Sequence, residues 1–192
     1  LKSIKKVEGK RIYLSPINVE DYPKYTEWLN DIEVNIYLNA LTKVITFEKE
    51  REFLTNAAKE GDYIFGIRLL ESDLLIGNCG LINTDHINRT STLGIFIGDK
   101  EYQNKGYGTE AIKLLLDYGF YILNLNNIWL YYFSYNSRGS KCYEKCGFKL
   151  VGRRRQAKII NGMKYDEIYM DILAEEYSGS EYKYKLDSIL KV

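Results

Sequence analysis

The chain has 192 residues, enough for one domain with a full core. Its 27 Lys+Arg against 26 Asp+Glu leave a formal charge of +1, which argues against a general nucleic-acid-binding surface and makes any anion site a local one. A hydrophobic share of 45% with two prolines describes an ordered globular chain, and 18 tyrosines point to a Tyr-rich surface or cleft.

In chain order, Arg11-Ile12-Tyr13-Leu14 alternates as a short strand that ends before Pro16. Asn18 is placed to cap a helix with an acidic first turn, Glu20-Asp21, carrying Tyr22, Tyr25, Trp28 and Leu29 and closed by Asn30-Asp31. Residues 36–44 are loosely patterned. Thr46 caps a second helix, with Phe47, Phe53 or Leu54, Ala57 and Ala58 as its apolar face and Gly61 as its stop. Residues 63–67 and 74–82 read as strands joined by the polar turn at 71–73. His86, the one histidine, falls in the next turn beside Asp85 and reads as a solvated residue. A third strand in antiparallel succession covers residues 92–97.

Gln103-Asn104-Lys105-Gly106-Tyr107-Gly108-Thr109 follows, and it is the stretch most plainly built for a ligand. A strand, a glycine-bearing turn and a helix start in that order offer free backbone N–H groups and a partial positive charge to a phosphate. The loop lacks the Gly-Lys-Ser/Thr ending of a P-loop and the third glycine of a Rossmann fingerprint. Ala111 or Ile112, Leu114, Leu115, Tyr118 and Gly119 then fall at helical spacing, and residues 128–133 form an apolar, aromatic run expected to be a strand covered on both faces. A helix between two such strands makes a parallel β-α-β unit, with the glycine turn at the end of its first strand, where open sheets bind ligands.

A further helix is expected over residues 137–146, stopped by Gly147, with Phe148 returning to the core. Residues 149–151 and 168–173 read as closing strands around the Asn161-Gly162 turn, and Arg153-Arg154-Arg155, ahead of that hairpin, as a solvated face. The tail, 174–192, reads as a surface helix or a partner contact. Cys79, Cys142 and Cys146 have no metal-ligand spacing; Cys142 and Cys146 share a helix face, and all three are read as buried free thiols of a reducing cytoplasm. No apolar segment approaches the roughly 20 residues of a membrane span, and none at Leu1 reads as a signal peptide.

From about residue 92 to residue 148 the chain resembles the GNAT superfamily of N-acetyltransferases. That family's acetyl-CoA loop runs Arg or Gln, two residues, Gly, one residue, Gly or Ala, and stands here as Gln103 to Gly108. Its downstream Asn, Tyr seven residues later and Gly-Phe four beyond match Asn136, Tyr143 and Gly147-Phe148. The N-terminal residues 11–16 and the late residues 161–166 resemble, more softly, the branch of ribosomal-protein-alanine and spermidine acetyltransferases.

The resemblance implies one α/β domain over 1–192, with a core of about 11–173 and a tail of 174–192. Its central, mostly antiparallel twisted sheet would carry one parallel β-α-β splay and be flanked by helices. It implies acetyl transfer from acetyl-CoA, without a metal, to a primary amine: a peptide N-terminus, a polyamine, an amino sugar or an aminoglycoside. Pantetheine would lie along Phe96, Ile97 and Gly98, and pyrophosphate on Asn104 to Thr109 (Asn104, Lys105, Gly106, Tyr107, Gly108, Thr109), with Gln103 and Asn136 as further contacts and Tyr143 as general acid. Expected partners are a small-molecule or peptide amine and, compatibly, a second copy in a homodimer, with neither nucleic acid nor membrane.

Two departures from the family's pattern stand out. The glutamate that many relatives place just before Leu-Gly is Thr92, leaving the base open among Asp85, His86, a tyrosine, a water chain and bulk solvent. The alanine usual three residues after the Asn is Gly139, expected to loosen the helix start. Glu20, Asp21, Asp31, Glu33 and Glu48 are available for an acidic acceptor cleft, a mild lean toward polyamines or aminoglycosides. A non-catalytic acyl-CoA sensor, motivated by Thr92, is the alternative function, and a Tyr-rich interaction protein a third.

Overall fold

A computed structural model describes residues 3–59 and 63–191. Eight strands form one sheet in the order β1-β2-β3-β4-β5-β6-β8-β7. They are β1 (Val7–Glu8), β2 (Ile12–Pro16), β3 (Tyr63–Leu69), β4 (Leu75–Asp85), β5 (Thr90–Ile97), β6 (Asn127–Phe133), β7 (Lys149–Ile160) and β8 (Met163–Leu173). Every neighbouring pair is antiparallel except β5 and β6, which are parallel because a helix crosses over between them. That parallel pair is short, matching only Thr90 with Asn127, Ser91 with Ile128 and Thr92 with Trp129. Beyond Thr92 the two strands part, and the cleft opens between them.

The crossover helix α4 (Tyr107–Asp117) continues into a π turn at Tyr118–Ile122. It buries Ala111, Ile112, Leu114, Leu115 and Leu116 against Leu81, Leu93, Ile128, Leu130, Met170 and Ile172 of the sheet. On the other face α1 (Tyr22–Asn30) brings Tyr25 and Trp28 edge-on to Phe96 of β5, at ring centroid distances of 6.3 and 6.2 Å. Leu93 and Phe96 thus belong to opposite faces, as period-two strand geometry requires.

Several expected elements differ in extent. Asn18 caps a 3-10 turn at Val19–Asp21, not α1 itself, and α1 begins at Tyr22 with Pro23 in its first turn. A one-turn helix α2 (Ile32–Asn35) follows, capped by Asp31. Thr46 does cap α3 (Phe47–Lys59), through a 3.3 Å bond from the Lys49 N–H. On α3, Leu54 and Ala57 turn inward with Glu50, whereas Phe47 and Phe53 are each 55% exposed. Gly61 and the side chain of Ala58 lie outside what is described. β6 is covered unevenly: on one face Ile128 and Leu130 are buried and Tyr132 packs beside them, while on the other only Phe133 is buried and Trp129 and Tyr131 stand partly exposed beside Tyr169 of β8.

The closing hairpin is longer than its apolar residues suggest, and the arginine triplet lies inside β7. There Arg153 and Arg154 meet Asp166 and Glu167 of β8 at 3.5 and 3.3 Å. The tail folds as a 3-10 turn and α6 (Glu181–Leu190). Fully buried Asp117 holds α6 by accepting from the Ser180 and Lys183 N–H groups at 2.8 and 3.1 Å. No helix among the described residues is long and apolar enough to cross a membrane.

Candidate active site

Where β5 and β6 part, a cleft of about 550 Å³ runs between the turn before α4, the start of α5 (Ser137–Lys145) and the segment after α2. Beyond Thr92 the edge of β5 that faces the cleft is unpaired, so Phe96 and Ile97 line it with strand backbone free to bond a ligand. Gly98 does not line it; it lies under the Trp28 indole, which any Cβ at 98 would overlap.

The loop that opens α4 is braced from three sides. Gln103 donates from Nε2 to the Ile97 carbonyl at 2.9 Å and accepts from Arg138 at 3.1 Å. Arg11 donates to the Lys105 carbonyl at 3.0 Å and pairs with Glu110 at 2.8 Å. Asn104 and Gly106 turn the chain with φ of +59° and +84°, and Gly106 caps α4 without any side-chain acceptor. The first-turn N–H groups of α4 are therefore left to a ligand, which is the arrangement that binds phosphate. Gln103, Asn104, Gly106, Gly108 and Thr109 line the cleft. Lys105 and Tyr107 do not: the Lys105 ammonium lies 6.0 Å from the Tyr102 ring centre, and the Tyr107 ring packs under Arg11 at 4.4 Å.

Asn136 caps α5 by accepting from the Gly139 N–H at 2.9 Å. Its amide sits so close that a Cβ at 139 would come within 2.6 Å of Asn136 Nδ2, so the glycine gives the cap its room. Arg138, Lys141 and Lys145 put three cations along the cleft. Their i, i+3, i+7 spacing was open to sequence reasoning, which missed them, as it missed the Arg11–Glu110 brace.

Tyr143 lines the cleft half-buried, with its ring 5.6 Å from that of Tyr132 and 6.2 Å from that of Phe148. Burial foremost, then the neighbouring Cys142, Tyr132 and Cys146, holds its phenol pKa well above the ordinary range. Cys79 and Cys146 are buried, but Cys142 also lines the cleft, 3.2 Å from the Thr109 hydroxyl, so it is not the buried thiol expected. Its neighbour Cys146 foremost, and then the Thr109 hydroxyl, lower the Cys142 thiol from its ordinary value against the opposing effect of burial.

At the far end the walls are Val34, Tyr37, Leu38, Ile82, Tyr131 and Phe133. Tyr135 holds this segment by donating to the Ile36 carbonyl at 2.6 Å, and Asn39 donates to the Tyr131 hydroxyl. Thr92 also lines the cleft; its hydroxyl is buried and has no hydrogen-bond partner among the described residues. No carboxylate lines the cleft among those residues. Asp31 and Glu33 are paired with Lys100 at 2.7 and 2.6 Å, Asp21 with Arg68, and Glu20 with Arg51 at 3.6 Å. Glu48 borders a separate hollow between α1 and α3. The acidic cleft is therefore not formed.

Asp85 and His86 stand at the β4–β5 turn, outside the cleft. Asp85 accepts from the Asn88 N–H at 2.9 Å and its side-chain amide at 2.7 Å, and then from the Ile87 N–H at 2.8 Å, which holds its carboxyl below the ordinary range, and His86 is exposed. Among the described residues no group of three or more His, Cys, Asp or Glu side chains is placed to hold a metal ion.

Residues 11–149 match the family model described as an acetyltransferase (GNAT) domain. The chain is 29% identical over 173 residues to an uncharacterized N-acetyltransferase, p20, of Bacillus licheniformis, covering 88% of this chain and 97% of that protein. It is 35% identical over 111 residues to the spermidine N(1)-acetyltransferase of Escherichia coli, covering 58% of this chain and 59% of that protein. The structure of spermidine N-acetyltransferase from Vibrio cholerae in complex with CoA and spermine superposes with a TM-score of 0.79 at 27% identity, over 88% of this chain and 99% of that one.

Proposed function

The chain belongs to the GNAT acetyltransferase family and is an acetyl-CoA-dependent N-acetyltransferase, and from that premise we propose how its cleft divides the work. The single observation that carries this reading is that one cleft is lined by the uncapped start of α4, the unpaired edge of β5 and the Tyr143 phenol.

Pyrophosphate rests on the α4 N–H groups between Asn104 and Thr109, with Arg138, Lys141 and Lys145 facing its charge. Pantetheine pairs with β5 at Phe96 and Ile97, and Asn136 borders it from the start of α5. The Lys105 and Tyr107 side chains and Gly98 act behind the loop and strand, through packing. The amine, neutral, attacks the thioester carbonyl carbon; the carbon–sulfur bond breaks; Tyr143 gives its proton to the departing sulfur. A phenol held above its ordinary pKa stays protonated through neutral and mildly alkaline pH, so the acid form is always present. Alignment of amine and thioester supplies much of the rate.

The acceptor enters past Tyr37 and Asn39 and is a small-molecule or peptide amine; the spermidine acetyltransferases among the relatives support an amine of small size. The test is release of CoA thiol with a panel spanning peptide N-termini, polyamines, amino sugars and aminoglycosides. Turnover above hydrolysis with at least one class is expected; none, with acetyl-CoA bound, would return the chain to the sensor reading, which its relatives do not favour. We also propose a homodimer through the free edge of β7, where Leu150, Val151 and Ile159 are 67, 63 and 64% exposed. Sedimentation as a single 22.4 kDa species would exclude it.

A further inference from the structure

We infer that the acceptor is a weakly basic primary amine carried on an apolar or aromatic body, selected by Tyr131, Phe133 and Tyr37. The inference rests on the acetyl-transfer reading above and narrows it.

Charge decides first. A polyamine reaches its site with several ammonium groups, and each needs a counter-ion or water to offset its desolvation. Among the described residues the cleft offers no carboxylate, and its charged lining is the cations Arg138, Lys141 and Lys145. Asp31 and Glu33, which belong to the neighbouring helix, are already paired with Lys100. Aromatic faces do attract ammonium, and on that ground alone a polyamine would qualify. One ring face can serve one charge, however, and the remaining charges would face Leu38, Val34 and Ile82.

Proton supply decides second. The nucleophile must be neutral, and among the described residues no carboxylate or imidazole lines the cleft to make it so, since Asp85 and His86 stand outside it. An amine of lysine-like basicity is neutral in roughly one molecule in 2,500 at about pH 7, whereas an α-amine is neutral in roughly one in ten. A base-free site therefore favours the weakly basic amine by about two orders of magnitude. After attack, the extra proton on nitrogen passes to solvent at the open mouth of the cleft.

Shape decides third. Trp129, Tyr131 and Tyr169 lie near-parallel, with interplanar angles of 22 to 31°, and Phe133 stacks on Tyr135 at 19°. Asn39 holds the Tyr131 hydroxyl, which fixes the ring's orientation. Of the rings that line the cleft, Tyr131 and Phe133 are thus locked in place as flat apolar surface rather than free side chains.

Four acceptors separate these factors: phenylalanine amide, glycine amide, 2-phenylethylamine and spermidine, compared by kcat/KM with saturating acetyl-CoA. At about pH 7 phenylalanine amide is expected to exceed glycine amide about tenfold. It should exceed 2-phenylethylamine and spermidine about a hundredfold, and the gap to 2-phenylethylamine should close as the pH is raised toward about 9.5. Tyr131→Ala should erase the advantage over glycine amide and Tyr131→Phe should keep it; Phe133→Leu gives a second reading if Tyr131→Ala does not fold. Spermidine equal to or better than phenylalanine amide would overturn the inference while leaving acetyl transfer intact. Thiol release with none of the four, acetyl-CoA being bound, would overturn both.

Discussion

Cys142 is the residue whose chemistry the cleft alters most measurably. One turn before Cys146 and 3.2 Å from the Thr109 hydroxyl, its thiol is held below the ordinary value by the neighbouring Cys146 foremost, against the opposing effect of burial. A lower thiol pKa means more thiolate at neutral pH, offset in part by lower intrinsic nucleophilicity, so alkylation a few-fold faster than at an ordinary exposed thiol is expected. Iodoacetamide should label Cys142 while buried Cys79 and Cys146 stay unlabelled in the folded protein. Acetyl-CoA should slow that labelling about tenfold by occupying the cleft. Labelling indifferent to acetyl-CoA would place the cofactor elsewhere. The role of Cys142 as a wall of the cleft was not legible in the sequence, because helical spacing gives a face and not what the face meets. Asn136, Tyr143 and Gly147-Phe148 were read as a set through their spacing, and Gly139 only as a departure from the pattern. The reason for Gly139 was not legible, since it depends on how closely the Asn136 amide folds back over the helix start.

Among the elements, α3 shows how a sequence pattern can mislead. Its aromatic residues Phe47 and Phe53 suggest the buried face, yet Glu50 takes an inward position and is only 5% exposed. Burial raises the Glu50 carboxyl to about 7, so the folded protein keeps a proton that the unfolded chain releases near its ordinary value. The stability this proton supports is full below about pH 4 and is lost as the pH rises through about 7. In urea denaturation Glu50→Gln should match the parent at about pH 4 and be more stable by ~2 kcal/mol at about pH 8. A gap that does not vary with pH would show that the carboxylate is satisfied where it lies. Helices α4 and α5 were legible because each has a boundary signal, Gly106 before one and Asn136 and Gly147 around the other. The four-residue α2 has no room for a period, and the docking of α6 depends on Asp117, a carboxylate 63 residues upstream of Ser180 that no local pattern connects to the tail.

At the scale of the whole molecule, function follows from one break in the sheet. Three matched residues join β5 to β6, and the divergence after Thr92 leaves an unpaired strand edge and an open cleft, which we propose hold the cofactor and the acceptor. The parallel unit could be read from a strand, a glycine turn, a helix and an aromatic strand in sequence. Where the pair stops could not, because register depends on both strands at once. The donor half of the cleft is built from contiguous motifs and was legible for that reason. The acceptor half draws Tyr37, Ile82, Thr92 and Tyr131 from four separate segments, and its lack of carboxylates emerged only when Asp21, Asp31 and Glu33 were seen to pair with Arg68 and Lys100.

Acetyl transfer in this cleft, with Tyr143 as the proton donor, is tested most directly by Tyr143→Phe measured two ways: turnover by CoA thiol release and acetyl-CoA affinity by titration. The expected result is a loss of at least ~10²-fold in kcat with Kd unchanged within about twofold, since only the transferable proton is removed. An unchanged kcat would contradict the assignment.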